Sequence, residues 1–237
     1  RLSGQTGAIY DTCGAVQARL VLEAGAERTV YILLGCEQSR EKAVRLAQKY
    51  SRPGVCDQAF KLVQEFWDGV LEQVQVATPS PAMDVLLNGW LLYQTLACRM
   101  WARAAFYQAG GAFGFRDQLQ DSLALLHTRP DLTKKQILLH ASHQYEEGDV
   151  QHWWHEETKR GIRTGFSDDL LWLPYAVGRY IEHTGDDSIL DEEAPFLHSE
   201  PLPEGEAERY GPTVESTRKG SVFEHCLRAI ERALQRF

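Results

Sequence analysis

The chain has 237 residues, 43% of them hydrophobic, and 33 acidic against 25 basic side chains give a formal net charge of -8. That length and composition support one large globular domain, or a domain with part of another. The acidic balance and the lack of any Lys/Arg run argue against a nucleic-acid partner, and no signal peptide or long uncharged apolar run marks export or a membrane span. Cysteines 13, 36, 56, 98 and 226 are odd in number and form no CxxC, which points to reduced thiols and a cytoplasmic setting. The sequence starts at Arg1 without Met and stops at Phe237 directly after a helix pattern, so it reads as a segment of a longer protein.

Before residue 18, Gly4, Gly7 and Gly14 suggest turns and edge structure. Residues 18–34 are expected to form a β-hairpin, two strand-like runs around Ala24-Gly25-Ala26. Ala43, Val44, Leu46, Ala47 and Tyr50 then recur at helical spacing up to Arg52-Pro53-Gly54. A second helix carries Ala59, Phe60, Leu62, Val63, Phe66, Trp67 and Val70. Thr78-Pro79-Ser80-Pro81 is the best boundary in the chain: Pro79 breaks, Ser80 can cap, and Pro81 suits a first helical position.

Beyond it the pattern turns from β to α. Met83 to Phe106 is apolar nearly all round, as in a helix buried on most sides. A glycine-rich turn follows, Gly110-Gly111-Ala112-Phe113-Gly114, and then Phe115-Arg116-Asp117 at the entrance of a helix carrying Leu119, Leu123, Leu125 and Leu126. Thr133-Lys134-Lys135-Gln136 has capping-box form, ahead of Ile137, Leu138 and Ala141. Residues 148–165 look like a long polar and aromatic loop. Ser167 is placed to cap the next helix, with Phe166 and Leu171 as a hydrophobic staple. Residues 191–213, acidic and with Pro195, Pro201, Pro203 and Pro212, read as an extended crossing loop. Ser221-Val222-Phe223-Glu224 is a second capping box, leading into Leu227, Ile230, Ala233 and Leu234. Helices joined alternately by short turns and long loops suit an α/α barrel whose long loops rim a pocket.

The glycine-rich turn is the centre of the functional reading. Glycines permit sharp turns and close approach, and aromatic faces beside charged hydrogen-bonding groups suit a sugar. The alternative is a plain helix–helix connection with a salt-bridged Arg116-Asp117. Arg103 could converge with that pair, Asp117 accepting from two hydroxyls and the arginines donating. Trp153 and Trp154 are sugar platforms or loop anchors. His152 and His155 could be metal ligands, yet no third ligand stands at a convincing spacing, so no metal is expected. Asp168 and Asp169 are either helix-start carboxylates stabilised by the helix dipole or a catalytic acid and its neighbour. No nucleophile elbow, P-loop or dinucleotide fingerprint is present.

Four runs, Asn88–Gln94, Phe113–Asp121, Gly148–His155 and Ser167–Pro174, resemble glycoside hydrolase family 94, which contains cellobiose, chitobiose and related disaccharide phosphorylases. Within it, the chain looks like the C-terminal phosphorylase-like domain of cyclic β-1,2-glucan synthases. The resemblance covers nearly the whole chain and is strongest over 79–190. It implies a mostly α chain with a β N-terminal part: residues 1–36 the end of a β-sandwich domain, 37–78 a helical linker, and 79–237 the opening helices of a six-hairpin α/α barrel. It implies inverting phosphorolysis of a β-linked glucan, most closely a β-1,2-glucan, or chain-length control in cyclic glucan synthesis. Inorganic phosphate is then the co-substrate, with no cofactor and no metal. Arg103, Arg116 and Asp117 match the positions that hold the sugar on the non-reducing side of the cleaved bond, with Gln118, Trp153 and Trp154 as further substrate-binding candidates. The turn Ala109-Gly110-Gly111-Ala112 is shorter than in disaccharide phosphorylases, which often carry a further Arg there. The family's general acid lies in a Trp-Asn-Asp motif that this sequence lacks, so no catalytic residue is assigned within it and the acid is expected beyond Phe237. The expected partners are a β-glucan oligosaccharide, phosphate and a second copy of the chain. The parent protein is open to anchoring in the bacterial inner membrane by segments outside this one. The competing readings are a non-catalytic glucan-binding module and a cellobiose- or chitobiose-type phosphorylase.

Overall fold

The structure is a computed structural model that describes residues 2–4, 7, 13–104 and 110–236, the last without its side chain. Most of the expected turn region before residue 13, the end of the expected long helix at 105–106, and Ala109 lie outside the described residues. The chain divides into two units, Arg1–Val63 and Gln64–Phe237.

In the first unit the turn of the expected hairpin forms, with Ala26 N–H donating to Glu23 O at 3.0 Å, but residues 18–34 make no ladder. A strand is stabilised by its partners, and these runs have none on either side among the described residues. Their apolar side chains stay in solvent, Ile32 at 87% and Leu34 at 100% exposure. Helix α1 (Arg40–Tyr50) is capped by Ser39, whose Oγ accepts from Lys42 N–H at 3.3 Å. Helix α2 (Val55–Leu71) begins in this unit, and the Asp57 carboxylate accepts a hydrogen bond from Tyr31 OH.

In the second unit, four abutting helical pieces run from residue 81 to 101: α3 (Pro81–Val85), a π-helical turn Leu86–Trp90, α4 (Leu91–Gln94) and a second π-helical stretch Thr95–Trp101. Pro81 takes the first helical position as expected, but the Ser80 side chain makes no cap; the Asp84 carboxylate reaches back to Thr78 N–H at 2.8 Å instead. The expectation of burial on most sides fails here. Only Leu96 and Met100 are buried, in a small cluster with Val70 and Leu125, while Val85, Trp90, Leu91 and Trp101 are exposed. An all-round apolar helix needs neighbours on every side, and this cluster covers one.

The main core lies among α5 (Phe115–Leu123), α6 (Pro130–Ala141), α7 (Trp172–Thr184) and α8 (Val222–Arg236), with Phe115, Leu119, Ile137, Leu173, Ala176 and Ala229 all fully buried. Helix α6 starts three residues earlier than its apparent capping box. Pro130 is its first residue, and Thr133 lies inside, its hydroxyl donating to Ser122 O at 2.7 Å. A proline needs no N–H partner and is preset for a helix start, which outcompetes the threonine. Helix α7 also departs from expectation. A 3₁₀ turn Asp169–Leu171 precedes it, Leu171 occupies the cap position, and Ser167 caps nothing, with Phe166 and Leu171 both partly in solvent. The helix ends at Gly185, whose φ of +71° suits glycine in the left-handed cap. The capping box at α8 forms on one side: Ser221 Oγ accepts from Glu224 N–H at 3.2 Å, while Glu224 pairs with Arg228 at 2.7 Å.

Both expected long loops contain strands. A four-stranded antiparallel sheet runs in the order β1 (Phe113–Gly114), β2 (Gln151–His155), β3 (Arg160–Thr164) and β5 (Glu208–Pro212). A second pair joins β4 (Glu193–Leu197) to β6 (Glu215–Ser221). The β2–β3 hairpin is anchored by Arg163, whose buried guanidinium grips Asp149 with two bonds of 2.7 and 2.6 Å, reaches Glu147 at 2.9 Å and lies over the Tyr145 ring. This bidentate pair compensates for burying the charge. Among the described residues no helix is long and apolar enough to cross a membrane. All five cysteines are unpaired, and burial pushes the Cys226 thiol up to about 12.

Candidate functional site

The cleft is built where the glycine-rich turn meets the hairpin. Strand β1 pairs with β2 so that Phe113 faces Trp154 and Gly114 faces Trp153. Facing residues share a side of the sheet, so the two pairs go to opposite sides. Phe113 and Trp154 stack at 5.3 Å on the core side. On the other side Gly114 offers no side chain over Trp153, whose ring meets Tyr210 at 5.6 Å and lines the cleft. A bulge between Gln151 and Trp153 breaks the alternation of β2. That irregularity lets His152, Trp153 and His155 line one cavity with Arg99, Arg103, Arg116 and Asp117, of about 150 Å³.

Arg103 sits at a φ of +49°, an unusual conformation for a non-glycine residue. Its Nε donates to Gly111 O at 2.7 Å, and its guanidinium lies over the Phe113 ring at 4.2 Å. Gly111 has a φ of +69°, so the turn uses the freedom that glycine supplies. Arg99 is tied to Asp121 at 2.8 Å and to Ala104 O at 2.6 Å. Burial lifts the Asp121 carboxyl above its usual range, against the pull of Arg99.

Asp117 lies in the first turn of α5, where the helix dipole favours a carboxylate. A methyl group on Gly114 would stand 3.0 Å from Asp117 Oδ2, so the glycine also makes room for this side chain. Asp117 is half exposed to the cleft, with Arg116 Nε 3.7 Å away. Arg116 in turn reaches Asp168 at 3.1 Å, and that hydrogen bond raises the guanidinium's affinity for its proton. Asp117 therefore keeps acceptor capacity for hydroxyl groups, and Arg103 and Arg116 keep donors.

The structure brings Arg103, Arg116, Asp117, Gln118 and Trp153 to one cavity, and it separates Trp154 from them. Trp154 is 1% exposed, stacked at 3.8 Å on His143, with its indole N–H donating to Glu156 at 2.9 Å. It anchors the hairpin from inside the core and reaches no ligand there. Gln118 is also constrained: its side-chain oxygen already accepts from Gly114 N–H, so its NH₂ and one remaining lone pair are what it can offer a ligand. Among the described residues no group of three His, Cys, Asp or Glu side chains could hold a metal. The two candidate histidines have different surroundings. His152 Nδ1 is 2.6 Å from Asp169 Oδ2, whereas His155 packs edge-on against Trp153 at 5.7 Å. The adjacent acids at 168 and 169 thus each hold a different lining residue of the cleft, Arg116 and His152.

The His152–Asp169 link was not apparent from the sequence, because the two residues are 17 apart and belong to different elements. The role of Arg99 in the wall was also missed. Arg99 lies on the helical stretch before the turn, and only its place in the lining of the cavity shows that it faces the cleft.

Residues 66–237 match the model of the glycosyl hydrolase 94 superfamily catalytic domain, and residues 1–53 match the glycosyl hydrolase 94 supersandwich domain. The chain is 43% identical over 235 residues to the cyclic beta-(1,2)-glucan synthase NdvB of Rhizobium meliloti (strain 1021), covering 99% of this chain and 8% of that protein. It is 29% identical over 224 residues to the N,N'-diacetylchitobiose phosphorylase of Vibrio furnissii, covering 83% of this chain and 28% of that one. It is 26% identical over 164 residues to the 1,2-beta-oligoglucan phosphorylase of Listeria innocua serovar 6a, covering 66% of this chain and 15% of that one. The chain therefore spans well under a third of each of these relatives. With a supersandwich match followed by a catalytic-domain match over most of its length, the chain belongs to the glycosyl hydrolase 94 superfamily.

Proposed function

We propose that this chain supplies the sugar-holding part of an inverting β-glucan phosphorylase or synthase site, with β-1,2-linked glucose units as substrate and inorganic phosphate as co-substrate. The observation that carries this is the convergence of Arg103, Arg116, Asp117 and Trp153 on one cleft, in a chain of this superfamily. A pyranose ring stacks one face on an indole and presents its hydroxyls to the charged rim. Asp117 accepts from hydroxyls, Arg103 and Arg116 donate, and these bonds tighten as the ring flattens toward an oxocarbenium-like state. Phosphate attacks the anomeric carbon from the face opposite the leaving group while one carboxylic acid protonates the glycosidic oxygen. The nucleophile is already an anion, so no second carboxylate base is required. The proton donor is assigned outside residues 1–237, and Asp168 and Asp169 are not given that role.

In this reading residues 1–36 end a β-sandwich, 37–78 link, and 79–237 open a six-hairpin α/α barrel. A homodimer and an inner-membrane anchor carried by other parts of the parent go with it; light scattering and membrane fractionation of the complete protein test both. The preference for β-1,2 linkages rests on the relatives whose names specify that linkage, one at 43% identity and one at 26%. The test is phosphate-dependent sugar-phosphate release by the complete protein from β-1,2-linked glucobiose, cellobiose and N,N'-diacetylchitobiose. Release from the first well above the other two is expected. A clear preference for either of the others overturns the substrate assignment.

A further inference from the structure

Asp169 is a carboxylate with its side chain 2% exposed, and its Oδ1 is buried with no hydrogen-bond partner. Its Oδ2 meets His152 Nδ1 at 2.6 Å. An unmet acceptor on a buried carboxylate is costly and calls for a compensating role. The His152 ring is held twice: by Asp169 at Nδ1, and edge-on against Phe166 at 4.8 Å with an interplanar angle of 87°. It lies in the wall of the cleft beside Trp153, on the bulge that turns it there.

An ionised carboxylate only accepts, so Nδ1 carries the proton. In the neutral imidazole Nε2 is then an unprotonated acceptor. Among the described residues no protein hydrogen bond reaches Nε2. Resting on the sugar-pocket reading above, we propose that His152 Nε2 accepts a hydrogen bond from one hydroxyl of the sugar ring held over Trp153. Asp169 is the positioning residue that fixes its tautomer and tilt. Asp168, its neighbour in the chain, holds Arg116 at 3.1 Å, so one short turn positions both an acceptor and a donor that line the cleft. The pair thus reads a specific hydroxyl, whereas Trp153 recognises only a ring face.

The experiment is calorimetric binding, in the complete protein, of β-1,2-linked glucobiose and of analogues deoxygenated singly at each position of the non-reducing ring. His152→Phe keeps a ring against Phe166 and removes the acceptor. It should weaken the parent disaccharide by roughly ten- to a hundred-fold and leave the affinity for one analogue unchanged. Asp169→Asn should show the same selectivity, because an amide can donate to Nδ1 and reverse the tautomer. Imidazole ¹⁵N spectra of the unsubstituted protein give a readout that requires no variant. They should show His152 protonated at Nδ1, with the Nε2 resonance moving when the disaccharide is added.

Equal weakening of every analogue by His152→Phe, no weakening at all, or a proton on Nε2 would overturn the proposal. If Asp117→Asn abolishes binding while His152→Phe leaves it intact, this inference fails and the pocket reading stands. If the unsubstituted complete protein binds none of the sugars, both fail.

Discussion

Asp168 Oδ2 lies 3.1 Å from a terminal guanidinium nitrogen of Arg116, 52 residues earlier in the chain. The bond joins the start of α5 to the 3₁₀ turn before α7, and the next residue, Asp169, joins that turn to the hairpin through His152. Two adjacent carboxylates therefore link the entrance of α5 and the hairpin to one short turn beside the cleft. Side chains held in this way lose little freedom when a ligand arrives, which is what tight recognition needs.

The two neighbouring tryptophans should separate binding from stability. Trp153→Ala is expected to weaken disaccharide binding about tenfold and to leave the urea unfolding midpoint close to that of the parent, since its ring lines the cleft. Trp154→Ala should cost about 3–5 kcal/mol of stability, because it empties a core position packed by Phe113 and His143. Urea titrations with calorimetry on both variants decide it; the reverse pattern would contradict the assignment of the two rings.

The buried ion pair under the hairpin makes a second prediction. Asp149→Ala leaves the Arg163 guanidinium, 3% exposed, without its two shortest bonds. The expected loss is about 3–5 kcal/mol. Glu147→Ala, at a carboxylate 35% exposed, should cost roughly 1 kcal/mol or less. Equal effects in chemical denaturation would show that the load is not on Asp149.

How much of this was legible in the sequence depends on the strength of the local signal. Helices α1, α2 and α8 follow from apolar spacing and, for α8, from Ser221. The glycine-rich turn and the entry of α5 were equally plain, since few other residues turn a chain so sharply. The strands were not. In β2 a bulge at His152 destroys the two-residue alternation, and β6 is a polar run, Glu-Ser-Thr-Arg-Lys-Gly-Ser, that lies in a two-stranded pair with little to bury. β4 contains Pro195, which reads as a breaker and is tolerated on an edge. In the cleft, Arg103, Arg116, Asp117 and Trp153 carry their chemistry in their identity. Trp154 looks the same as Trp153 on paper, and only the sheet's sidedness separates them.

Stability should fall as the solution becomes acidic, well before carboxylates titrate. Burial pushes His140 down to about 3 and His143 to about 4, and lowers His225 as well. The unfolded chain takes up these protons below about pH 6.5, while the folded chain refuses those of His140 and His143 until much lower pH and takes up that of His225 later than the unfolded chain does. Each histidine then contributes a loss of at most about 1.4 kcal/mol per pH unit as pH drops below that value. Urea midpoints between pH 7.5 and 5 should be flat at first and then decline, and His143→Gln should shallow the decline. A midpoint that holds constant down to pH 5 would count against neutral buried histidines.

Turnover of the complete protein with Asp117→Asn tests whether this cleft holds the sugar. The substitution removes the charge that accepts sugar hydroxyls and changes little in shape. The side chain is half exposed, with Arg116 Nε 3.7 Å away, so little stability depends on it. An oriented charged hydrogen bond that tightens in the transition state is worth about 3 kcal/mol, so phosphate-dependent turnover should fall by roughly two orders of magnitude or more while the unfolding midpoint stays within error. A variant that is less stable but whose folded fraction turns over at the parental rate would make Asp117 a structural partner of Arg116 and remove the basis for placing the sugar in this cleft.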